Sequence, residues 1–236
     1  MSKLAIISGG SKGLGAALVE MYQQEGYSVV ELSRSGSSIR VDLAQPNQLL
    51  ATLPTHFEKL GQQAWDEVLL FNNAGVISPI GAVATKAEAD IFANINVNFT
   101  SAILIIRAFV QAFLAHSCPK TVVNISSGAA LSSIYGWSLY CGAKAGIEHF
   151  VRTVALEQQE QAHPITAVNV GPGIIDTGMQ AAIRASDASD FPGVDRFREF
   201  KESGTLRSPE TVAQAINNIL ASNPASGSRH DISDYL

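Results

Sequence analysis

Leu4-Ala5-Ile6-Ile7 runs straight into Ser8-Gly9-Gly10-Ser11-Lys12-Gly13-Leu14-Gly15, and an amphipathic stretch from Leu14 to Glu25 follows, stopped by Gly26. A short apolar run of this kind reads as a buried strand. Glycines end it in a tight turn, and the helix that opens afterwards closes on a further glycine. The glycine spacing is Gly9-x3-Gly13-x-Gly15. Glycines placed so let backbone N–H groups approach a pyrophosphate at the N-terminus of a helix. The same string also serves as a plain strand-to-helix turn, so its meaning depends on what accompanies it.

Outward from that turn the strand-helix unit recurs. Ser28 to Ser33 reads as a second strand, Ile39-Arg40-Val41 as a short third, Val68 to Phe71 as a fourth, Thr121 to Ile125 as a fifth and Ile165 to Val170 as a sixth. An edge strand is expected near His230 to Ser233. Ala87 to His116 holds one or two helices, Ser138 to Gln161 a long one, and Pro209 to Ser222 another with Pro209 suited to its first turn. No internal repeat, low-complexity tract or Pro/Gly linker divides the chain, so residues 1–236 read as one domain. Apolar strands separated by helices imply parallel βαβ units covered on both faces. The expected fold class is therefore α/β, a doubly wound parallel sheet, with a ligand crevice beyond the carboxyl ends of its strands.

Composition narrows the function classes. Hydrophobic residues make up 46% of the chain and charged residues 16%. The charged share is below the ~25% of an average chain, which suggests extensive buried surface, including a subunit interface. Sixteen Lys+Arg against 21 Asp+Glu leave a formal net charge of -5. With no basic excess to neutralise phosphates, a nucleic-acid partner is not expected, nor is attraction to an anionic membrane. The uncharged run Thr121 to Ala143 carries Asn124 and several serines and glycines that lipid would strand without partners. The apolar run at Leu4–Ile7 is too short for a signal-peptide core, and Cys118 and Cys141 build no disulfide framework, so a cytoplasmic protein is expected. The five histidines show no paired ligand spacing, and no metal is expected.

The loops at the strand ends carry the unusual residues. The fourth strand ends in Asn72-Asn73-Ala74-Gly75 and the fifth in Ser126-Ser127. Tyr140 follows thirteen residues after Ser127, and Lys144 four residues later. On a helix, residues four apart share a face. An ammonium close to a phenol favours the phenolate, so the Tyr140 pKa is expected to fall toward neutrality. The sixth strand ends in Asn169-Val170-Gly171-Pro172-Gly173, with Thr177 just beyond.

These motifs, in this order and spacing, resemble the short-chain dehydrogenases/reductases along essentially the whole chain. The resemblance implies a single Rossmann-like domain that binds a nicotinamide dinucleotide, with Asn98, Ser127, Tyr140 and Lys144 as its catalytic residues. Tyr140 would be the general acid, Lys144 would depress its pKa and bond the nicotinamide ribose, Ser127 would orient the carbonyl, and Asn98 would hold a water in a proton relay. Cofactor contacts are implied at Gly9, Ser11, Lys12, Gly13, Leu14 and Gly15 of the turn, at Ser33 and Arg34, at Asp42 and Leu43, at Asn73, Ala74 and Gly75, and at Pro172, Gly173, Ile175 and Thr177, beside Tyr140 and Lys144. NAD enzymes of this fold usually end the second strand with an acid on the ribose 2′-hydroxyl. Here that strand ends Glu31-Leu32-Ser33-Arg34, with Glu31 two residues too early and Ser33 neutral. Arg34 offers a fork suited to a 2′-phosphate and Lys12 adds a second cation, so NADPH is the expected cofactor. The chain departs from the family in two places. Only Ser35 to Ser38 separate Arg34 from Ile39, leaving no room for a helix there, and Ser8 stands where Thr is usual.

A narrower resemblance, to the sepiapterin reductases and bacterial benzil reductases, lies in Pro172 to Gln180, Arg196-Phe197-Arg198, Gly204 to Pro209 and Ser226-Gly227 to Asp231. Gly136-Trp137-Ser138-x-Tyr140-Cys141 is most similar to the benzil reductases. It implies reduction of a ketone, a diketone or a pterin side-chain carbonyl to an alcohol, with Asp231 anchoring a pterin. Substrate contacts are expected at Ser127, Tyr140, Trp137, Met179 and Asp231, and a homodimer or homotetramer through the helices of Ala87–His116 and Ser138–Gln161. The segment 179–206 contains Met179, Ile183, Phe191, Phe197 and Phe200, with breaks at Pro192-Gly193 and Gly204. It reads either as a substrate cover or as a helix pair packed on the domain. Tyr135 and Trp137 line the opposite wall or make subunit contacts. Two other functions fit the fold: a reductase of 3-oxoacyl or steroid type, and a silent NADP-binding sensor. A sensor has no need of all four catalytic residues.

Overall fold

The computed structural model describes residues 2–236 of the 1–236 span read as one domain; residue 1 lies outside the described residues. Seven parallel strands, β1 (Lys3–Ser8), β2 (Ser28–Ser33), β3 (Ile39–Arg40), β4 (Glu67–Asn72), β5 (Lys120–Ile125), β6 (Thr166–Gly171) and β7 (Arg229–Asp231), form one sheet in the order β3-β2-β1-β4-β5-β6-β7. The chain runs outward from β1 to β3, then returns to the other side of β1 at β4, so the order reverses between β1 and β4. A doubly wound sheet opens its ligand crevice at that reversal.

Eight helices cover the sheet: α1 (Gly13–Gln24), α2 (Pro46–Gly61), α3 (Glu88–Ile95), α4 (Ser101–Phe113), α5 (Ser138–Gln158), α6 (Gly178–Arg184), α7 (Val194–Glu202) and α8 (Pro209–Ala221). The strands read as near-continuous apolar runs because side chains of both faces are buried. Leu4, Ile6, Val68, Leu70 and Val122 face Phe57 of α2, Ile105, Phe109 and Phe113 of α4, and Ile147 and Val151 of α5. Ala5, Ile7, Leu69, Phe71 and Val123 face Leu18 and Tyr22 of α1 and Val212, Ile216 and Ile219 of α8.

The expected strands and helices all form, with shifted ends. β7 starts at Arg229 and stops at Asp231, because Ile232–Asp234 turns into a short 3-10 helix. The Ala87–His116 stretch is two helices joined by a π-helical turn, Asn96–Thr100. The run Glu88–Phe113 is long and apolar enough to cross a membrane by length and composition. Here it carries buried Asn94 and Asn98, and the buried face of α4 joins the core. As expected, no helix separates β2 from β3. Sequence reading leaves α2 unassigned, although Leu49, Leu53 and Phe57 form its buried stripe.

One polar seam crosses the sheet near its carboxyl edge. Asn72, Asn124 and Asn169 lie at paired positions of β4, β5 and β6. Asn72 Nδ2 donates to Asn124 Oδ1 at 2.7 Å, Asn124 Nδ2 to Asn169 Oδ1 at 2.7 Å, and Asn169 Nδ2 to the Glu148 carbonyl at 3.1 Å.

Candidate active site

The loops that follow β1 and β4 are stitched together at the reversal. Ser8 Oγ accepts from the backbone N–H of Asn73 at 3.0 Å and of Ala74 at 3.1 Å, and Asn73 Nδ2 donates to the Ser8 carbonyl at 3.0 Å. The hydroxyl at Ser8 suffices for this, so the Ser-for-Thr exchange leaves the stitch intact. Gly9 and Gly13 adopt φ of +70° and +56°, where a side chain is disfavoured, and a Cβ on Gly15 would collide with the Gly9 carbonyl. Lys12 gives α1 no side-chain cap, so the first-turn N–H groups of Gly13, Leu14 and Gly15 lack a side-chain acceptor. Thr177, at the start of α6, packs its methyl against Gly13, at 3.1 Å from where a Cβ would stand. The turn is thus a glycine cradle on a helix N-terminus with a hydroxyl-bearing residue above it, which fits a pyrophosphate.

The second cluster forms at the end of β5. Ser127 caps the 3-10 turn Gly128–Ala130, its Oγ accepting from Ala129 N–H at 3.1 Å. Tyr140 and Lys144, one turn apart on α5, are 6% and 4% exposed. Lys144 Nζ donates to the Ile125 carbonyl at 2.7 Å and lies 5.7 Å from the centre of the Tyr140 ring. The expected acidification of Tyr140 by Lys144 is not what the geometry gives. Burial pushes the Tyr140 phenol up to about 12, against a smaller downward pull from the Ser127 hydroxyl. Burial also pushes the Lys144 ammonium down to about 8. Both groups lose water, and desolvation penalises whichever form is charged. Asn98 sits in the π-helical turn, 2% exposed. Its Oδ1 accepts from Val76 N–H at 2.9 Å, and its Nδ2 donates to the Val76 carbonyl at 2.8 Å and to Asn94 Oδ1 at 3.0 Å. It therefore pins the loop after Gly75, and both amide hydrogens are used. For a water it offers only the second lone pair of Oδ1. A Cβ on Gly75 would stand 3.3 Å from that Oδ1 and 3.8 Å from Lys144 Nζ, so β4's loop and α5 meet there.

At the other end of the crevice, Lys12 and Arg34 are exposed and take part in no ion pair among the described residues. Ser33 is buried, its Oγ accepting from Ser35 N–H at 3.3 Å. Asp42 Oδ1 accepts from Ala44 N–H at 3.0 Å, and the carbonyl of buried Leu43 accepts from Ser101 Oγ at 2.6 Å. In the sequence Glu31 lies two residues too early for an acid that bonds the ribose. Its side chain instead reaches up between Gly10 and Gly36: an added Cβ would collide with Glu31 Cγ at the first and lie 2.6 Å from Oε2 at the second. Glu31 Oε1 is buried with no hydrogen-bond partner. The signal was available in the two glycines that make room for it.

The 179–206 segment forms α6 and α7, and it packs on the phenol. Ile183, Phe191 and Val194 share a buried cluster with Trp137, Tyr140, Ala129 and Ile77, flanked by Met179 and Phe197. Trp137 stacks on Phe191 with ring centres 5.2 Å apart and meets Tyr140 edge-on at 6.0 Å. Trp137 Nε1 and Gln180 Oε1 are buried without partners, a cost that a polar ligand group would relieve. Pro172 is buried beside these loops, Gly173 turns with φ of +66°, and Ile175 bridges to Arg207. Asp231 ends β7 against Gly171, half exposed, with Oδ1 paired to Arg229 Nη2 at 3.0 Å. It is therefore already partnered, unlike the free anchor that the sequence suggests. A surface hollow of about 440 Å³ between α2 and α4 lies on a helical face lined by Leu49, Leu53, Phe57 and Leu104, not among these residues. No group of His, Cys, Asp and Glu suited to a metal ion occurs among the described residues.

The chain is 34% identical to the benzil reductase of Bacillus subtilis (strain 168), which forms (S)-benzoin, with 99% of this chain and 100% of that protein aligned. It is 27% identical to the sepiapterin reductase of Meriones unguiculatus over 96% of this chain and 94% of that one. A crystal structure of a short chain dehydrogenases/reductase from Saccharomyces cerevisiae superposes with a TM-score of 0.82 at 21% identity, each chain covered in full. The sequence model of the short chain dehydrogenases matches residues 3–188, a span that holds the glycine turn, the Asn73 loop and the Ser127, Tyr140 and Lys144 cluster. The chain accordingly belongs to the short-chain dehydrogenase family of oxidoreductases, whose members bind nicotinamide cofactors.

Proposed function

We propose that this protein is an NADPH-dependent carbonyl reductase that converts a ketone, diketone or pterin side-chain carbonyl to an alcohol. The observation that carries the reading is the convergence of half-buried Ser127 with buried Tyr140 and Lys144 at the end of β5, one strand from the glycine cradle's partner loop. The bound cofactor supplies the hydride. The turn Gly9–Gly15, Thr177 and the Asn73–Gly75 loop hold its pyrophosphate and nicotinamide halves, and Lys12 and Arg34 take the 2′-phosphate as exposed, unpaired cations. Asp42 and Leu43 border the adenine.

The chain's own residues then move one proton. Ser127 donates to the substrate oxygen and orients it. Tyr140, held neutral by burial up to about 12, gives its proton to the oxygen as it becomes an alkoxide. Lys144, kept in place by the Ile125 carbonyl, stabilises the phenolate left behind and bonds the nicotinamide ribose. Asn98 positions the Gly75–Val76 loop that walls the nicotinamide and offers Oδ1 to a water. Trp137, Met179 and the α6–α7 cover enclose the substrate against Tyr140. The exposed apolar residues Phe92 on α3 and Leu156 on α5, 67% and 63% exposed, support a homodimer or homotetramer through this helical side. A cytoplasmic location is part of the same reading.

NADPH oxidation followed across diketones such as benzil, pterins, acyl thioesters and steroids tests it. Turnover of a diketone or a pterin is the expected result. Activity confined to acyl thioesters or steroids favours the alternative reductase classes, and tight NADPH binding without turnover of any carbonyl compound favours the silent sensor. Preference for NADH in the same assay removes the cofactor assignment.

A further inference from the structure

Arg229, the first residue of β7, belongs to neither the glycine turn nor the group of Ser127, Tyr140 and Lys144. Its side chain nevertheless reaches the end of β5 and the middle of α5. Nη1 donates to Glu148 Oε2 and, at 3.2 Å, to Ser126 Oγ, while Nη2 pairs with Asp231 Oδ1 at 3.0 Å. Ser126 Oγ donates in turn to the same Glu148 oxygen at 2.5 Å. Glu148 is 4% exposed along its side chain and Arg229 17%. We propose that Arg229 and Glu148 are a positioning pair that clamps the amino-terminal half of α5 to the end of β5, fixing Lys144 and Tyr140 against Ser127; the proposal rests on the reading of those three residues as the reducing site.

The argument is one of placement. Glu148 lies one helical turn past Lys144, on the same face of α5. Ser126 lies between Ile125, whose carbonyl holds Lys144 Nζ, and Ser127 itself. Two rungs a turn apart therefore join α5 to the strand end: Lys144 to Ile125, and Glu148 to Ser126. The second rung carries a buried carboxylate, which is stable in that place only with a charged partner. Arg229 is that partner, delivered from the last strand of the sheet. Without it the buried Glu148 carboxylate has no charged partner and swings toward water, which releases Ser126 and the helix turn below Lys144. A displacement of this kind away from the reacting atoms costs rate through geometry, up to about a hundredfold for an ångström.

The test compares wild type, Arg229→Met, Glu148→Gln and the double variant in four readouts: kcat and KM for the best carbonyl substrate, NADPH affinity, melting temperature, and amide hydrogen exchange over residues 138–148. Arg229→Met is expected to lower kcat about tenfold, with KM and NADPH affinity within about twofold, and to speed exchange over 138–148. The double variant removes the unpaired buried charge, so its melting temperature recovers while kcat stays low and exchange stays fast. The proposal is overturned if kcat and exchange return to wild-type values together with the melting temperature, which marks plain charge compensation, or if Arg229→Met changes neither. If the wild type reduces no carbonyl compound, the functional reading fails by itself; the exchange measurement needs no substrate and still decides whether the pair holds α5.

Discussion

The two ends of the crevice are built on opposite plans. At the reducing end Tyr140, Lys144, Asn98 and Glu148 are buried and Ser127 is half-buried, and each is fixed by hydrogen bonds, an ion pair or packing. At the adenosyl end, Lys12 and Arg34 stand in solvent without ion-pair partners, and four residues replace a whole helix. On the proposed reading, reaction geometry is held by burial, where a sub-ångström change matters, while cofactor preference rests on exposed charges that alter at little cost to the fold. The difference teaches where each property can be changed: specificity for the cofactor at the surface, chemistry only through the core.

The sharpest way to break this contrast is Tyr140→Phe. It keeps the ring that packs on Trp137 and deletes only the proton donor, so kcat should fall roughly a hundredfold to ten-thousandfold with NADPH affinity unchanged by titration. Near-normal turnover would remove Tyr140 from the chemistry. At the other end Arg34→Ala should weaken NADPH about ten- to a hundredfold, the worth of charge-assisted hydrogen bonds, while NADH affinity moves little. The companion change Glu31→Gln removes the unpartnered carboxylate beneath the same site and should raise the NADPH-to-NADH preference a few-fold. An unchanged ratio in fluorescence titrations would show that the carboxylate is too far from the phosphate to be felt.

A third measurement concerns pH. Burial puts the Lys144 ammonium at about 8 and leaves the Tyr140 phenol protonated to about 12. Reduction should therefore decline about tenfold per pH unit above the Lys144 value as its charge is lost, with no counterpart limb from Tyr140 in the neutral range. Stability runs the other way. The folded Lys144 value lies below the ordinary lysine value, so between the two the unfolded chain binds more protons and unfolding free energy rises with pH. A rate profile flat through this range would show that the ammonium is not needed charged. The smallest effect is expected at Asp231→Asn. Because Oδ1 is already held by Arg229, pterin turnover should fall only a few-fold, at most about one hydrogen bond's worth, and benzil reduction should stay as it was. A loss of a hundredfold for pterins alone would restore Asp231 as their principal anchor.

Much of this was legible before any coordinates. The strands announce themselves as apolar runs, and Gly9-x3-Gly13-x-Gly15, Asn73-Ala74-Gly75 and Tyr140-x3-Lys144 fall on loops and a helix that the sheet brings to one edge. What stayed hidden has physical reasons. α2 combines a clear stripe of Leu49, Leu53 and Phe57 with Pro46, Asn47 and Pro54, whose local preference is for turns and breaks. The balance of charge effects on Tyr140 and Lys144 depends on burial, which no spacing rule reports. Arg229 acts through contacts across the sheet, with partners Glu148 and Ser126 supplied by tertiary structure alone.

The row of three asparagine amides across β4, β5 and β6 has a consequence for how the sheet assembles. Apolar parallel strands are nearly interchangeable along their length, since valine, leucine and isoleucine meet one another equally well when a strand slides. Asn72, Asn124 and Asn169 are not interchangeable with anything beside them. A slip of one residue turns an amide to the opposite face, and a slip of two sets it beside Leu70, Val122 or Ala167, unpaired in either case. The row therefore works as an alignment key: it tolerates a single offset for each strand, and that offset brings the loops that carry Gly75, Ser127 and Gly173 out along one edge of the sheet.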